Sequence, residues 1–135
     1  MQRILIVEDD IEIQDMLRNH LTDAGYEVVI AEDGVTGIAK FDDTINLVLL
    51  DIMLPKIDGY GVCEVIRQRS QVPIIMLTAL SDEENQIKGF EQQIDDYIPK
   101  PFSPKILLYK IAAIFRRGSS NTQKETSIVY KDLCM

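Results

Sequence analysis

At 135 residues the chain is long enough for one domain with a substantial apolar core. Its 46% hydrophobic and 27% charged residues are those of a globular protein, and no apolar run approaches the roughly 20 residues of a membrane-crossing helix. The net charge of −8 is concentrated in residues 1–115, which hold 10 basic and 20 acidic side chains, so this body lacks the clustered Lys and Arg that contact nucleic-acid phosphates.

The first element is a strand at about 3–8, with none of the architecture of a secretory leader. Two cysteines, Cys63 and Cys134, are too few for a disulfide framework and fit a reduced, cytoplasmic setting. A helix at about 11–24 aligns Ile13, Leu17, Leu21 and Ala24 on one face, with Asp10 as N-cap and Gly25 as its stop. His20, the one histidine, falls on the surface of this helix. A strand at about 26–31 precedes a helix at about 34–42 that carries Val35, Ile38 and Phe41. The next strand, about 46–51, is apolar on both faces through Leu47, Val48, Leu49 and Leu50, the mark of a strand covered by helices on both sides. A helix at about 59–70 follows, with Val62, Val65 or Cys63, and Ile66 inward; Gly61 weakens it by roughly 1 kcal/mol. A strand at about 73–78, a mostly polar helix at about 82–92, a strand at about 95–98 and a helix at about 103–116 complete the alternation. Such alternation predicts a parallel sheet with helices on both faces and right-handed crossovers. Residues 118–127 have linker composition, and 127–135 alternate like the first strand of a second domain. The expected organisation is therefore a domain over 1–117, followed over 118–135 by a linker and the start of a truncated domain.

In an open parallel sheet the carboxyl ends of the strands share one edge, where ligands bind. Here the strands end in Glu8-Asp9-Asp10, Asp51, Thr78 and Lys100-Pro101. Carboxylates crowded within a few ångströms repel one another unless a cation compensates them or a pKa rises. With the Met53 carbonyl and waters, such a set suits octahedral Mg²⁺ or Mn²⁺. A carboxylate can also act as a nucleophile and form an acyl phosphate. Asp51 is the strongest nucleophile candidate, because the most buried strand fixes it. Lys100 would contact a phosphoryl oxygen, and its setting between Pro99 and Pro101 predicts a cis bond at Lys100–Pro101.

These residues carry a resemblance. The stretches Ile4-Leu-Ile-Val-Glu-Asp-Asp10, Leu47-Val-Leu-Leu-Asp-Ile-Met-Leu-Pro55 with Asp58-Gly59, Val72-Pro-Ile-Ile-Met-Leu-Thr-Ala79 and Asp95-Asp-Tyr-Ile-Pro-Lys-Pro-Phe102 resemble the receiver domain of two-component response regulators. The likeness is to the subfamily with a winged-helix DNA-binding effector (OmpR/PhoB-like) and covers residues 2 to about 117. It implies a flavodoxin-like α/β fold, a five-stranded parallel sheet of order 2-1-3-4-5. It implies Asp51 as phosphoacceptor, Glu8 and Asp9 as the acidic pair with Asp9 the direct metal ligand, and Lys100 on the phosphoryl group. Thr78 and Tyr97 would form a switch: the hydroxyl turns toward the phosphoryl oxygen and the ring turns inward, biasing the face made by the fourth helix, fifth strand and fifth helix.

The resemblance also implies a sensor histidine kinase as phosphodonor, a homodimer through that switch face, and DNA contact only through a C-terminal effector. Asp96 and Lys110 keep one charge pair of the dimer face. Gln86 and Ile106 stand where a base and an acid are usual, leaving a more apolar contact through Ile106, Leu107 and Tyr109, or a core role for them. Met53 and Leu80, two residues beyond Asp51 and Thr78, cannot orient a hydrolytic water, so slow self-dephosphorylation is expected of a phosphoacceptor switch that is not an enzyme in the ordinary sense. The competing reading is a stand-alone receiver that relays phosphate or binds a protein. A flavodoxin-like cofactor binder would need a Gly/Ser/Thr-rich phosphate loop where Glu8-Asp9-Asp10 stands. An aspartyl phosphatase would place its second acid on the loop of Asp51.

Overall fold

Four short runs rich in Ile, Val and Leu and a fifth segment, Asp96–Pro99, form strands, and the segments after the first three strands form helices that each start at a capping Asp. The computed structural model describes residues 2–78, 94–100 and 102–121, without the side chains of Thr78 and of 118–121. The expected fourth helix, Leu80, Gln86, Pro101 with its peptide bond, and Cys134 lie outside the described residues. In chain order come β1 (Arg3–Val7), α1 (Ile11–Asp23), β2 (Glu27–Ala31), α2 (Gly34–Lys40), β3 (Leu47–Asp51), α3 (Gly59–Arg67), β4 (Ile74–Thr78), β5 (Asp96–Pro99) and a C-terminal helix (Pro104–Asn121). Two compact units make up the chain: Met1–Phe102, which contains the sheet and the first three helices, and Ser103–Met135, which contains the C-terminal helix.

All strands are parallel, in the order β2-β1-β3-β4-β5. This is the flavodoxin-like topology. The central strands are buried on both faces, as the unbroken apolar run of β3 requires. On one face Leu5, Val7, Val48, Leu50, Ile74 and Met76 form a core with Phe41, Tyr60, Val62, Cys63 and Ile66. The alternate residues Ile4, Ile6, Leu47, Leu49, Ile75 and Leu77 are equally inaccessible, as are Leu17 and Leu21 of α1. Each such side chain contributes roughly 1.5–3 kcal/mol of burial.

The three helices that follow β1, β2 and β3 start alike. Asp10 Oδ1 accepts the Ile13 N–H at 3.2 Å, Asp33 Oδ1 accepts that of Thr36 at 2.7 Å, and Asp58 Oδ1 accepts that of Gly61 at 3.0 Å. Each cap is worth about 1 kcal/mol. It also sorts the acids at the sheet edge: Asp10, Asp33 and Asp58 hold helix starts, whereas Glu8, Asp9 and Asp51 do not.

Four local expectations need correction. Ala24 is exposed, because it is already the C-cap and Gly25, at φ 96°, turns the chain away. Val35 is 48% exposed, because α2 meets the sheet through glycine instead: a Cβ on Gly37 would come 2.9 Å from Val7 Cγ2. Helix α3 ends at Arg67, not near 70, because the next amides turn back on Val65 and Ile66, and the Arg67 guanidinium takes the carbonyls of Ser70 and Val72. The C-terminal helix runs on to Asn121, through the first residues of the stretch read as linker, where no proline stops it.

Candidate functional site

Register alone assembles the site. Val7 pairs with Leu50, so the next residues stand side by side, Glu8 just past β1 and Asp51 as the last residue of β3. Asp51 pairs with Leu77, and Leu77 with Ile98; Lys100, two residues on, returns to the same face. Side chains follow the backbone. Lys100 Nζ donates to Glu8 Oε1 at 2.8 Å and lies 3.3 Å from Asp51 Oδ2. One carboxylate oxygen each from Glu8, Asp9 and Asp51 falls within 4.8 Å of the others. Glu8 is fully inaccessible and Asp51 is 3% exposed, while Asp9 faces solvent. Two fixed acids thus line the floor and a third stands at the mouth.

Backbone groups fix the two buried acids. Glu8 Oε2 accepts the Asp10 N–H at 3.2 Å, and the Gln14 side-chain amide donates to the Glu8 carbonyl at 2.6 Å. Asp51 Oδ1 accepts the Met53 N–H at 3.2 Å. Burial is the largest influence on Glu8 and pushes its carboxyl up to about 7; Lys100 opposes the rise and Asp51 adds to it. For Lys100, burial works against the charge. The hydrogen bond to Glu8 and the charge of Asp51 outweigh it and hold the ammonium above its ordinary range.

An all-oxygen set of three carboxylates around one small space fits a hard divalent cation that retains waters, as Mg²⁺ and Mn²⁺ do. Glu8, Asp9 and Asp51 are the residues that would hold it, and among the described residues Lys100 is the base paired with them. Met53 is 61% exposed at the rim.

The remaining expected residues are distributed more widely. The Thr78 backbone ends β4 at the same edge, in register with Pro99. Tyr97 is half-buried, beside Met76 in register, and packs against the core on the α3 side. Asp96 opens β5 and accepts the Tyr97 N–H at 2.8 Å. In the C-terminal helix Leu107 is buried, Ile106 and Tyr109 are exposed, and Lys110 is half-buried. His20 is exposed, its ring Nδ1 2.8 Å from the Met16 carbonyl.

Sequence reading assigned no task to Gly59 or Lys56. A Cβ on Gly59 would strike the Asp51 carbonyl oxygen and lie 2.7 Å from Ile52 Cα, so α3 can start beneath the phosphoacceptor candidate only with glycine there. A glycine directly after an Asp N-cap, two turns past a strand-end acid, was the available signal. Lys56 has φ 72° and carried no such signal, since lysine seldom adopts that conformation.

Comparison with known proteins agrees with this geometry. The profile of the response regulator receiver domain matches residues 4–112. The probable transcriptional regulator ycf27 of Cyanophora paradoxa is 48% identical over 127 residues, covering 93% of this chain and 53% of the relative. The chain spans about half the length of the curated relatives it matches. Among solved structures, a CheY-like response regulator receiver domain protein from Methanospirillum hungatei JF-1 superposes with a TM-score of 0.83 at 36% identity, covering 88% of this chain and 97% of that one. Response regulator DrrB, a Thermotoga maritima OmpR/PhoB homolog, gives 0.80 at 36% identity, covering 87% of this chain and 54% of that one. The matched stretch of this chain contains Glu8, Asp9, Asp51 and Lys100 on a sheet of order β2-β1-β3-β4-β5, and the chain belongs to the response regulator receiver domain family.

Proposed function

We propose that Asp51 is the phosphoacceptor of a two-component response regulator, charged by the phosphohistidine of a sensor histidine kinase. The observation that carries this reading is the packing of Asp51, at the end of a fully buried strand, between a second buried acid and a lysine 3.3 Å away. An Asp51 oxygen attacks phosphorus, the phosphorus–nitrogen bond breaks, and its electron pair leaves with the imidazole. Asp9, Glu8, Asp51 and the Met53 carbonyl are the proposed Mg²⁺ or Mn²⁺ ligands, and the bound ion supplies positive charge against which the phosphoryl oxygens can approach three carboxylates. Lys100 adds a second positive group. The Met53 N–H orients the carboxylate before reaction.

In this reading Thr78 and Tyr97 transmit the change to the face that includes β5, where Asp96, Lys110 and Ile106 support a homodimer on phosphorylation. The relatives named as transcriptional regulators are about twice as long as this chain, which supports a C-terminal effector that makes the DNA contact. Hydrolysis is slow, because Met53 and Leu80 offer no group to a water; a phosphorylated state lost within about a minute would contradict that. The protein acts as a switch, with phosphoryl acceptance and slow release as its own chemistry.

Intact mass after incubation with a small-molecule phosphodonor and Mg²⁺ tests the central step. The wild type gains one phosphoryl group and Asp51→Asn gains none. Equal labelling of both, or of neither, overturns the assignment.

A further inference from the structure

Past Asp51 the chain closes into a tight ring. The Ile52 carbonyl accepts the N–H of Leu54 at 3.1 Å and of Gly59 at 2.9 Å, and the Ile57 N–H donates to the Pro55 carbonyl at 2.9 Å. That last bond spans two residues, with Lys56 at φ 72° in the centre, which makes it the rare and strained form of γ-turn. Lys56 is the one non-glycine residue at positive φ among the described residues. A residue with a side chain persists in such a turn only where its surroundings hold it there. The surroundings here are a charge. Lys56 Nζ lies 3.4 Å from Asp33 Oδ2, while Asp33 Oδ1 caps α2 through Thr36. Asp33 is 7% exposed and Lys56 is largely exposed, so the anchor is rigid and the lysine reaches in to it. Backbone contact lies alongside: a Cβ on Gly34, next to Asp33, would strike the Ile57 carbonyl oxygen.

We propose that Lys56 is a positioning residue, whose ion pair with Asp33 latches the strained turn to the start of α2 and so holds the Met53 backbone over Asp51. The inference rests on the reading of Glu8, Asp9, Asp51 and the Met53 carbonyl as a divalent-cation site. Met53 is three residues from Lys56 within the same closed ring, with Pro55 stiffening the path between them. Without the latch the strain favours other turn conformations, and only the fraction of molecules that keeps the native turn offers Met53 in place. Apparent affinity falls in proportion to that fraction.

Two substitutions at Lys56 separate strain from charge, and a third, at Asp33, tests the charge from the other side. Lys56→Met keeps the strained side chain and removes the latch. Lys56→Gly removes the latch and the strain together, because glycine takes positive φ freely. Asp33→Asn removes the counter-charge but keeps a good N-cap. The measurement is Mn²⁺ binding to the full chain, followed by the electron paramagnetic resonance of the free ion, with metal-free thermal unfolding alongside. Lys56→Met and Asp33→Asn each bind Mn²⁺ about two- to fivefold more weakly, the scale of an exposed ion pair. Lys56→Gly binds like the wild type, also when combined with Asp33→Asn. Wild-type affinity in Lys56→Met, or equal losses in Lys56→Met and Lys56→Gly, overturns the latch. A wild type that binds no Mn²⁺, or binds it as well after Asp9→Asn and Asp51→Asn, overturns the site reading instead.

Discussion

The two edges of the one sheet handle charge in opposite ways. At the amino edge, Arg3 donates to Thr44 at 2.7 Å and lies 3.3 Å from Glu27, while its own N–H meets the Asn46 side chain at 2.7 Å. Arg67 donates to the Val72 carbonyl at 2.8 Å and sits 3.4 Å from Asp95, which accepts the Ile74 N–H at 2.8 Å. Opposite charges meet there, and they tie strand starts to the loops before them. At the carboxyl edge three carboxylates crowd together with Lys100 as their base. The first edge holds the sheet in register. The second keeps excess negative charge in place at some expense of stability, the pattern expected where a fold is shaped for a ligand.

That contrast can be broken by measurement, and the largest effect is on pH. Glu8 has an ordinary value of 4.5 and about 7 in the folded protein, so the folded state binds the proton more tightly. Its contribution to metal-free stability is complete below about pH 4.5 and is lost as pH rises through 7, by up to about 3 kcal/mol. Urea unfolding at a series of pH values without divalent ions checks this, and saturating Mg²⁺ should flatten the profile at its upper end. A metal-free profile that is flat across this window would show that the carboxyl edge carries no such charge excess.

The next largest effect tests the fit beneath the site. Gly59→Ala drives a methyl group into the backbone of Asp51 and Ile52 and should destabilise by up to about 3 kcal/mol, read from the shift in denaturant midpoint. At the amino edge, Asp95→Ala removes the ion pair to Arg67 and the acceptor of the Ile74 N–H and should lose about 2 kcal/mol, with no change in Mn²⁺ affinity. The smallest effect has the opposite sign. Asp51→Asn relieves the crowding around Glu8 and should raise the metal-free unfolding free energy by about 1 kcal/mol at neutral pH, while abolishing phosphoryl uptake. If Asp51→Asn destabilises the metal-free protein as Asp95→Ala does, the two edges do not differ in the way described.

Strand order and the acids at the strand ends were legible in the sequence because both follow from pattern. Apolar runs of four or five residues with turn residues between them leave little freedom, and an acid that ends a buried strand can only emerge at the edge. The partner face of α2 was not legible: Val35 looks like a core residue by spacing, yet the packing surface is Gly37 against Val7, and a missing side chain leaves no periodic signal. Nor could the acids be sorted. Asp10 reads as a cap from its place before a helix, but Asp33 and Asp58 serve the same task, visible only once their Oδ1 atoms are seen on amides. The positive φ of Lys56 was out of reach for the same reason, since its cause lies more than twenty residues away at Asp33.

The two oxygens of Asp51 are each already held, Oδ1 by the Met53 amide and Oδ2 by the Lys100 ammonium. A covalent substituent can bond to only one of them, and whichever grip it displaces is the first place the news of that bond arrives. Loss of the Oδ1 contact would loosen the segment leading to α3; loss of the Oδ2 contact would leave Lys100, just past β5, to Glu8 alone. On the proposed phosphoacceptor chemistry this carboxylate would be a junction with two exits, the choice of oxygen deciding which of its two contacts is given up.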